Sequence, residues 1–303
     1  MNRPEVELRE TVLSDGLVGN ALMPPAELRA QLVDLLADSG LPYVEVAALD
    51  VRDGTEQPTD PEALRCAQVL PERAEKTFAA MVRRHDVYPI FRETALDAIS
   101  IRLGLSSVSA GPGWELTEAA LAVDRMELWL PELVEGGYRI RAVLVDALQT
   151  LAHDSSDLEK LMEALFEEGL EEICLGDAVG DVPPNSIRRA AKRWVSHFGA
   201  EKVGLKPGDT LGRGLVQLCA GYEAGVRRFD TVLAGVGGAR LISGAGYALA
   251  TEDAVSLLAD EGIATGVDLR QIVRCSRFAC EQLGVVGRSR YASACDREGR
   301  PTW

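Results

Sequence analysis

Hydrophobic and polar positions along this 303-residue chain alternate between two periods. Short runs rich in β-branched and other apolar residues are separated by longer stretches in which apolar residues recur every three to four positions, the signature of successive strand–helix units. Eight short runs read as strands: Val6 to Leu13, Tyr43 to Ala47, Val87 to Ile90, Ala98 to Leu103, Arg139 to Val145, Glu172 to Leu175, Lys202 to Leu205 and Thr231 to Ala234. In PPAELRAQLVDLLADSG, Leu28, Leu32, Leu35 and Leu36 fall on one helical face, with Pro24 and Pro25 at the start and Gly40 at the stop. In SSDLEKLMEALFEEG, Ser155 or Ser156 caps, Leu158, Leu161, Met162 and Leu165 form the buried stripe, and Gly169 terminates.

Eight such units in about 250 residues match the arithmetic of a (β/α)8 TIM barrel. An open doubly wound sheet competes, but no GxGxxG turn follows the first strand, and an eighth strand suits closure. The barrel is expected over residues 1–268, followed by a C-terminal extension over 269–303. There LRQIVRCSRFACEQLG forms an amphipathic helix whose Phe278 and Leu283 cover the barrel or a dimer partner. The polar tail from Arg288 to Trp303 is open between a lid, a dimer arm and a frayed end.

Composition narrows the class. The chain is 47% hydrophobic and 26% charged, without an apolar run of membrane-spanning length. MNRPEVELRE lacks the basic-then-apolar plan of a secretory signal, so the cytoplasm is the default location. A net charge of −15 opposes binding to nucleic acid or anionic lipid. The six cysteines lack CxxC spacing and read as reduced core residues.

In a TIM barrel the chemistry sits at the carboxyl ends of the strands. The predicted ends are acidic: strand one runs into Glu10-Thr11-Val12-Leu13-Ser14-Asp15-Gly16, strand two carries Glu45, and strands five, six and seven end at Asp146, Asp177 and Asp209. Each acid could cap a following helix, but five at one mouth require protons, a cation or a metal to offset their repulsion. His85, His153 and His197 are too scattered in sequence to suggest a cluster. Arg213 and Arg240 are candidate clamps for an anionic substrate, or simply solvated side chains. The glycine-rich stretch Gly235 to Gly246 lacks a P-loop ending, so nucleotide binding is not expected.

The segment Leu233 to Asp253, LAGVGGARLISGAGYALATED, resembles the signature of the hydroxymethylglutaryl-CoA lyase and isopropylmalate synthase family at Gly235, Gly237, Gly238, Gly244, Ala245 and the run Ala250-Thr251-Glu252-Asp253. Motif order follows that family from Glu7 to about Leu283. The resemblance implies a barrel that makes or breaks carbon–carbon bonds. In the family, strand one ends in Arg-Asp-Gly, the arginine stabilising an enolate and the aspartate binding a divalent metal. Here Ser14-Asp15-Gly16 lacks the arginine; Glu45 and Gly176-Asp177 match. The His-x-His metal clasp falls on Lys206-Pro207-Gly208, ahead of a matching Asp209-Thr210 and Gly212. The reactive cysteine falls on Ala239 and the asparagine ligand on Ala248. Of the usual metal ligands only Asp15 remains, so no transition-metal site is expected.

Strand parity puts Gly204, Lys206 and Gly208 on one face. If that face is inward, the Lys206 ammonium supplies the missing positive charge, pairing with Asp15 and Asp177; the alternative is a structural lysine that balances a silent site. The expected enzyme is a metal-independent lyase or synthase acting on a small keto or hydroxy acid or its thioester. In it Asp15 and Asp177 handle protons, Glu45 positions a water or hydroxyl, and Lys206 stabilises the enolate electrostatically or as a Schiff base. Asp146, Asp209, Thr210, Arg213 and Arg240 line the substrate. No cofactor is expected, the alternative being Mg2+ held by Asp15, Asp146 and Asp177. The competing function is a catalytically silent barrel serving as a binding subunit; a homodimer is the candidate assembly.

Overall fold

In the computed structural model, residues 4–17, 22–50, 59–70, 73, 76–82, 88–105, 130–150, 155–237 and 247–302 are described. Eight parallel strands close in sequence order: β1 (Glu7–Glu10), β2 (Tyr43–Leu49), β3 (Thr77–Val82), β4 (Ala98–Leu103), β5 (Arg139–Leu144), β6 (Glu172–Gly176), β7 (Val203–Lys206) and β8 (Arg228–Thr231). The longer helices are α1 (Ala26–Asp38), α2 (Pro61–Gln68), α3 (Ser155–Glu167), α4 (Pro184–Phe198), α5 (Gly214–Glu223), α6 (Thr251–Asp260) and α7 (Leu269–Leu283). Among the described residues no helix is long and apolar enough to cross a membrane.

Strand side chains alternate between two buried faces. Outward residues such as Leu8, Val44, Ile99, Ile140, Leu175, Leu205 and Phe229 join the main apolar core beneath the helices. The inward face is charged. Arg9, Glu45, Arg141, Glu172 and Asp230 are each at most 3% exposed, and they neutralise one another across the barrel interior. Arg141 donates to both oxygens of Asp230 at 2.7 and 2.8 Å, to Glu45 at 2.8 Å and to Ser100 at 2.7 Å. Arg9 reaches Glu172 at 2.7 Å, and both guanidinium groups lie over the Tyr43 ring. Buried charges survive folding only when paired in this way.

Two strand expectations need correction. In the expected strand Val87 to Ile90, Val87 lies outside the described residues and Tyr88–Phe91 forms a helical turn; β3 is Thr77–Val82, whose two central alanines obscured its strand character. The eighth strand is Arg228–Thr231, while Leu233–Gly235 is a tight turn. RFDT looks polar in sequence because its inward Asp230 meets a partner from β5 that only folding supplies. In α1 the inner face is also displaced: Leu28 and Leu35 are half-buried, and Arg29 is buried against Asp60 at 2.5 Å and the Pro24 carbonyl at 2.9 Å. The α3 stripe Leu158, Leu161, Met162 and Leu165 is buried as expected.

The C-terminal extension lies against its own barrel. Phe278 and Leu283 pack on the main core. Instead of fraying, the tail is tied down by Asp253, which accepts from Ser289 Oγ at 2.6 Å, Tyr291 N at 2.9 Å and Arg290 N at 3.1 Å. This docking lays Arg288 over the Tyr247 ring, 3.5 Å from its centroid.

Candidate active site

After β1 the chain leaves extended geometry at once. The N–H groups of Ser14, Asp15 and Gly16 all turn back to the Thr11 carbonyl, at 3.3, 2.9 and 3.3 Å. This tight turn, Val12–Gly16, buries Ser14 and Asp15 at the carboxyl end of the barrel. Ser14 Oγ donates to Glu45 at 2.6 Å, where the β2–β3 register shifts between Glu45 and Ala47. Such irregularities commonly re-aim side chains beside functional sites.

A cavity opens at this end. Asp15, Arg102, Lys206, Asp177 and Tyr247 supply its polar lining; Val143, Val145 and Ala248 supply apolar wall. Lys206 Nζ pairs with one Asp15 oxygen and Arg102 with the other, while Lys206 also lies 3.4 Å from Thr11 Oγ1. Lys206 therefore points inward, with its side chain 15% exposed. Burial lowers its pKa, opposed chiefly by the negative charge of Asp230. Burial likewise draws Arg102 down to about 10.

The other expected acids are committed to architecture. Asp177 lines the cavity, but its oxygens accept from Gln149 Nε2, Gly180 N at 2.7 Å, Val182 N at 3.1 Å and Gln217 Nε2 at 2.6 Å. Four donors occupy a carboxylate's usual acceptor capacity. The predicted pairing of Lys206 with Asp177 is accordingly absent from the hydrogen bonds of the described residues, and Asp177 holds the turn after β6. Asp146 accepts from Leu105 N at 2.7 Å. Asp209 accepts from Gly214 N at 2.7 Å at the start of α5, and Thr210 Oγ1 accepts from Tyr247 N at 3.2 Å. Arg213 donates to the Asp181 carbonyl. Asp146, Asp209, Thr210 and Arg213 thus shape loops around the cavity without lining it. Arg240 lies outside the described residues, as do His85, His153, Gly238, Ala239, Gly244 and Ala245.

The recognisable Thr251-Glu252-Asp253 run is structural. Thr251 donates to Glu10 at 2.6 Å and Glu252 accepts from Ala234 N at 2.9 Å. That bond restrains a non-glycine residue with a φ of 58°, while Asp253 anchors the tail.

Few side chains here offer a free donor to a divalent ion. Each Asp15 oxygen faces a cation, and Gly208 and Ala248 carry no ligating side chain. A Cβ at Gly208 would lie 2.5 Å from both the Asp177 carbonyl oxygen and Gly180 Cα, so the backbone packing leaves no room for an imidazole. Among the described residues the one trio of converging potential ligands is Glu159, Glu163 and His197, on the outside of α3 and α4, away from Asp15, Asp146 and Asp177.

Arg102 and Tyr247 are the cavity residues missed by sequence reasoning. Arg102 was within reach of the parity Ala98, Ser100, Arg102 on β4; Tyr247 carried no periodic signal. All six cysteines are free, four of them buried, consistent with their expected core placement.

The comparisons agree with this architecture. Residues 5–279 match the HMGL-like family model. The cytoplasmic 3-hydroxy-3-methylglutaryl-CoA lyase of Danio rerio is 25% identical over 302 residues, covering 95% of this chain and 86% of that protein. The crystal structure of hydroxymethylglutaryl-CoA lyase from Pseudomonas aeruginosa superposes with a TM-score of 0.86 at 25% identity, covering 97% of this chain and 98% of that one. An HMG-CoA lyase from Acinetobacter baumannii, solved with coenzyme A and 3-methylmalate, gives a TM-score of 0.85 at 21% identity, covering 100% and 98% respectively.

Proposed function

The chain belongs to the HMGL-like family, and on that premise we propose that it is a carbon–carbon lyase or synthase acting next to a carbonyl in a small keto or hydroxy acid, free or as an acyl thioester, with the Lys206 ammonium in place of a divalent cation. The observation that carries this reading is the ion pair of Lys206 with Asp15 at the cavity. The Acinetobacter lyase, with its coenzyme A and 3-methylmalate, supports a short hydroxy acid or thioester as the substrate class.

In the cleavage direction, Asp15 takes the proton of the substrate hydroxyl. The O–H electron pair becomes the new C=O bond, and the carbon–carbon pair moves onto the departing fragment as an enolate. Lys206 donates a hydrogen bond to the enolate oxygen, where negative charge grows in the transition state. Protonation of the enolate carbon by Asp15 completes the cycle with the carboxylate restored. Glu45 acts through Ser14 by holding the Asp15 turn, and Asp177 holds the β6 turn. Each is a positioning residue in this scheme: Glu45 is held by Ser14 and Arg141, and Asp177 by backbone and amide donors of the neighbouring turns.

The test is product release from hydroxymethylglutaryl-CoA and a panel of short keto and hydroxy acids, with chelator and with added Mg2+ or Mn2+. Turnover that survives chelation and disappears in Lys206→Met supports the reading. Turnover that requires added metal removes the lysine substitution; no turnover on any compound favours the silent barrel.

A further inference from the structure

Two cations converge on one carboxylate at the mouth. Asp15, Arg102 and Lys206 together carry one net positive charge, and Asp177, the other acid lining the cavity, is occupied by neutral donors. Arg102 is incompletely used. Nη1 serves Asp15 and the Met81 sulfur, at 3.5 Å from the latter, whereas Nε is buried without a hydrogen-bond partner among the described residues. A buried guanidinium donor left unpaired is costly, and the edge formed by Nε and Nη2 matches the two oxygens of a carboxylate. Val143 and Val145 extend β5 as an apolar wall of the same cavity. The combination suits a short carbon skeleton with an anionic end.

Position 14 offers no guanidinium, since Ser14 is turned onto Glu45. Arg102 approaches Asp15, the next residue, from β4. We propose that Arg102 is the specificity-determining residue of this barrel, binding a free substrate carboxylate through its unused edge, and that the guanidinium absent from the end of β1 is thereby supplied from β4. The proposal deepens the lyase reading and rests on it for the identity of the occupant, which is a small acid whose carboxylate lies near the reacting carbonyl. Arg102 Nη1 and Lys206 stay on Asp15 while the other edge of the guanidinium takes the carboxylate.

Binding, measured apart from turnover, tests this. Malonate and pyruvate are titrated calorimetrically into the chelator-treated wild-type protein and into Arg102→Met, Arg102→Lys and Asp15→Asn, with circular dichroism to verify folding. Wild type is expected to bind at least one probe, and Arg102→Met to bind it about tenfold more weakly, or worse. Arg102→Lys, retaining charge without the fork, should be intermediate, whereas Asp15→Asn should bind more tightly because a negative charge beside the site is gone. If Arg102→Met fails to fold, Arg102→Lys and Asp15→Asn carry the comparison. Absence of wild-type binding, equal binding by the folded Arg102 variants, or weaker binding by Asp15→Asn overturns the proposal. Chelator-resistant turnover with Arg102-independent binding would sink this inference alone. Arg102-dependent binding with metal-dependent turnover would instead sink the lysine reading.

Discussion

Arg141 on β5 donates to Glu45 on β2 at 2.8 Å, a contact across the barrel interior between strands that are three places apart in the closed sheet. It couples the buried charge network to the candidate active site, because the other Glu45 oxygen accepts from Ser14, beside Asp15.

Removing that guanidinium should therefore damage stability and site together. Arg141→Met strands Glu45 and Asp230 as buried charges, at an expected cost of about 3–5 kcal/mol. Chemical denaturation of Arg141→Met and of Arg141→Met/Asp230→Asn checks this, the double variant recovering part of the loss. A single-variant loss below about 1 kcal/mol would show that the network contributes little.

For Lys206 the expectation concerns rate. Lys206→Met should lower kcat by about 100-fold or more while leaving KM within a few-fold, the pattern of an interaction made mainly in the transition state. Because the ammonium is held in an ion pair, borohydride with pyruvate should leave the wild-type mass unchanged. A reducible adduct that vanishes in Lys206→Met would replace the electrostatic role with a covalent one.

Placing imidazoles at positions 206 and 208 should fail for steric reasons. In Lys206→His/Gly208→His, the second side chain meets backbone at 2.5 Å and should cost about 1–3 kcal/mol through overpacking. Thermal unfolding with and without Zn2+ or Mn2+ reads the result. A metal-induced rise to or above the wild-type midpoint would mean that the turns after β6 and β7 yield readily.

Stability should decline toward alkaline pH. Burial pushes Glu252 up to about 8 and Glu10 to about 7, against an ordinary value of 4.5 for each. Between the ordinary and raised values the folded chain holds more protons than the unfolded one. These carboxyls favour the fold most below 4.5, and that contribution is lost as pH rises through 7 and 8. Thermal midpoints should fall across this range, and Glu252→Gln should flatten the upper part of the curve. An unchanged slope in that variant would contradict the assignment.

Local pattern carried much of this architecture. Six of the eight strands and the α3 stripe followed from period and spacing, because each depends on residues close in sequence; parity put Gly204 and Lys206 on one face and left its direction to the fold. β3 and β8 escaped for opposite reasons: β3 has two alanines at its centre, and β8 contains an acid whose partner lies on another strand.

The sequence by itself determined the barrel and its family resemblance, since residue identity and strand alternation are local properties. Tertiary structure decided which charges meet. Asp15, Arg102 and Lys206 come from three strand ends and converge only on closure, while Asp177 is claimed by backbone and amide donors from neighbouring turns. Electrostatic energy depends on separation and burial, and neither can be read from positions along the chain.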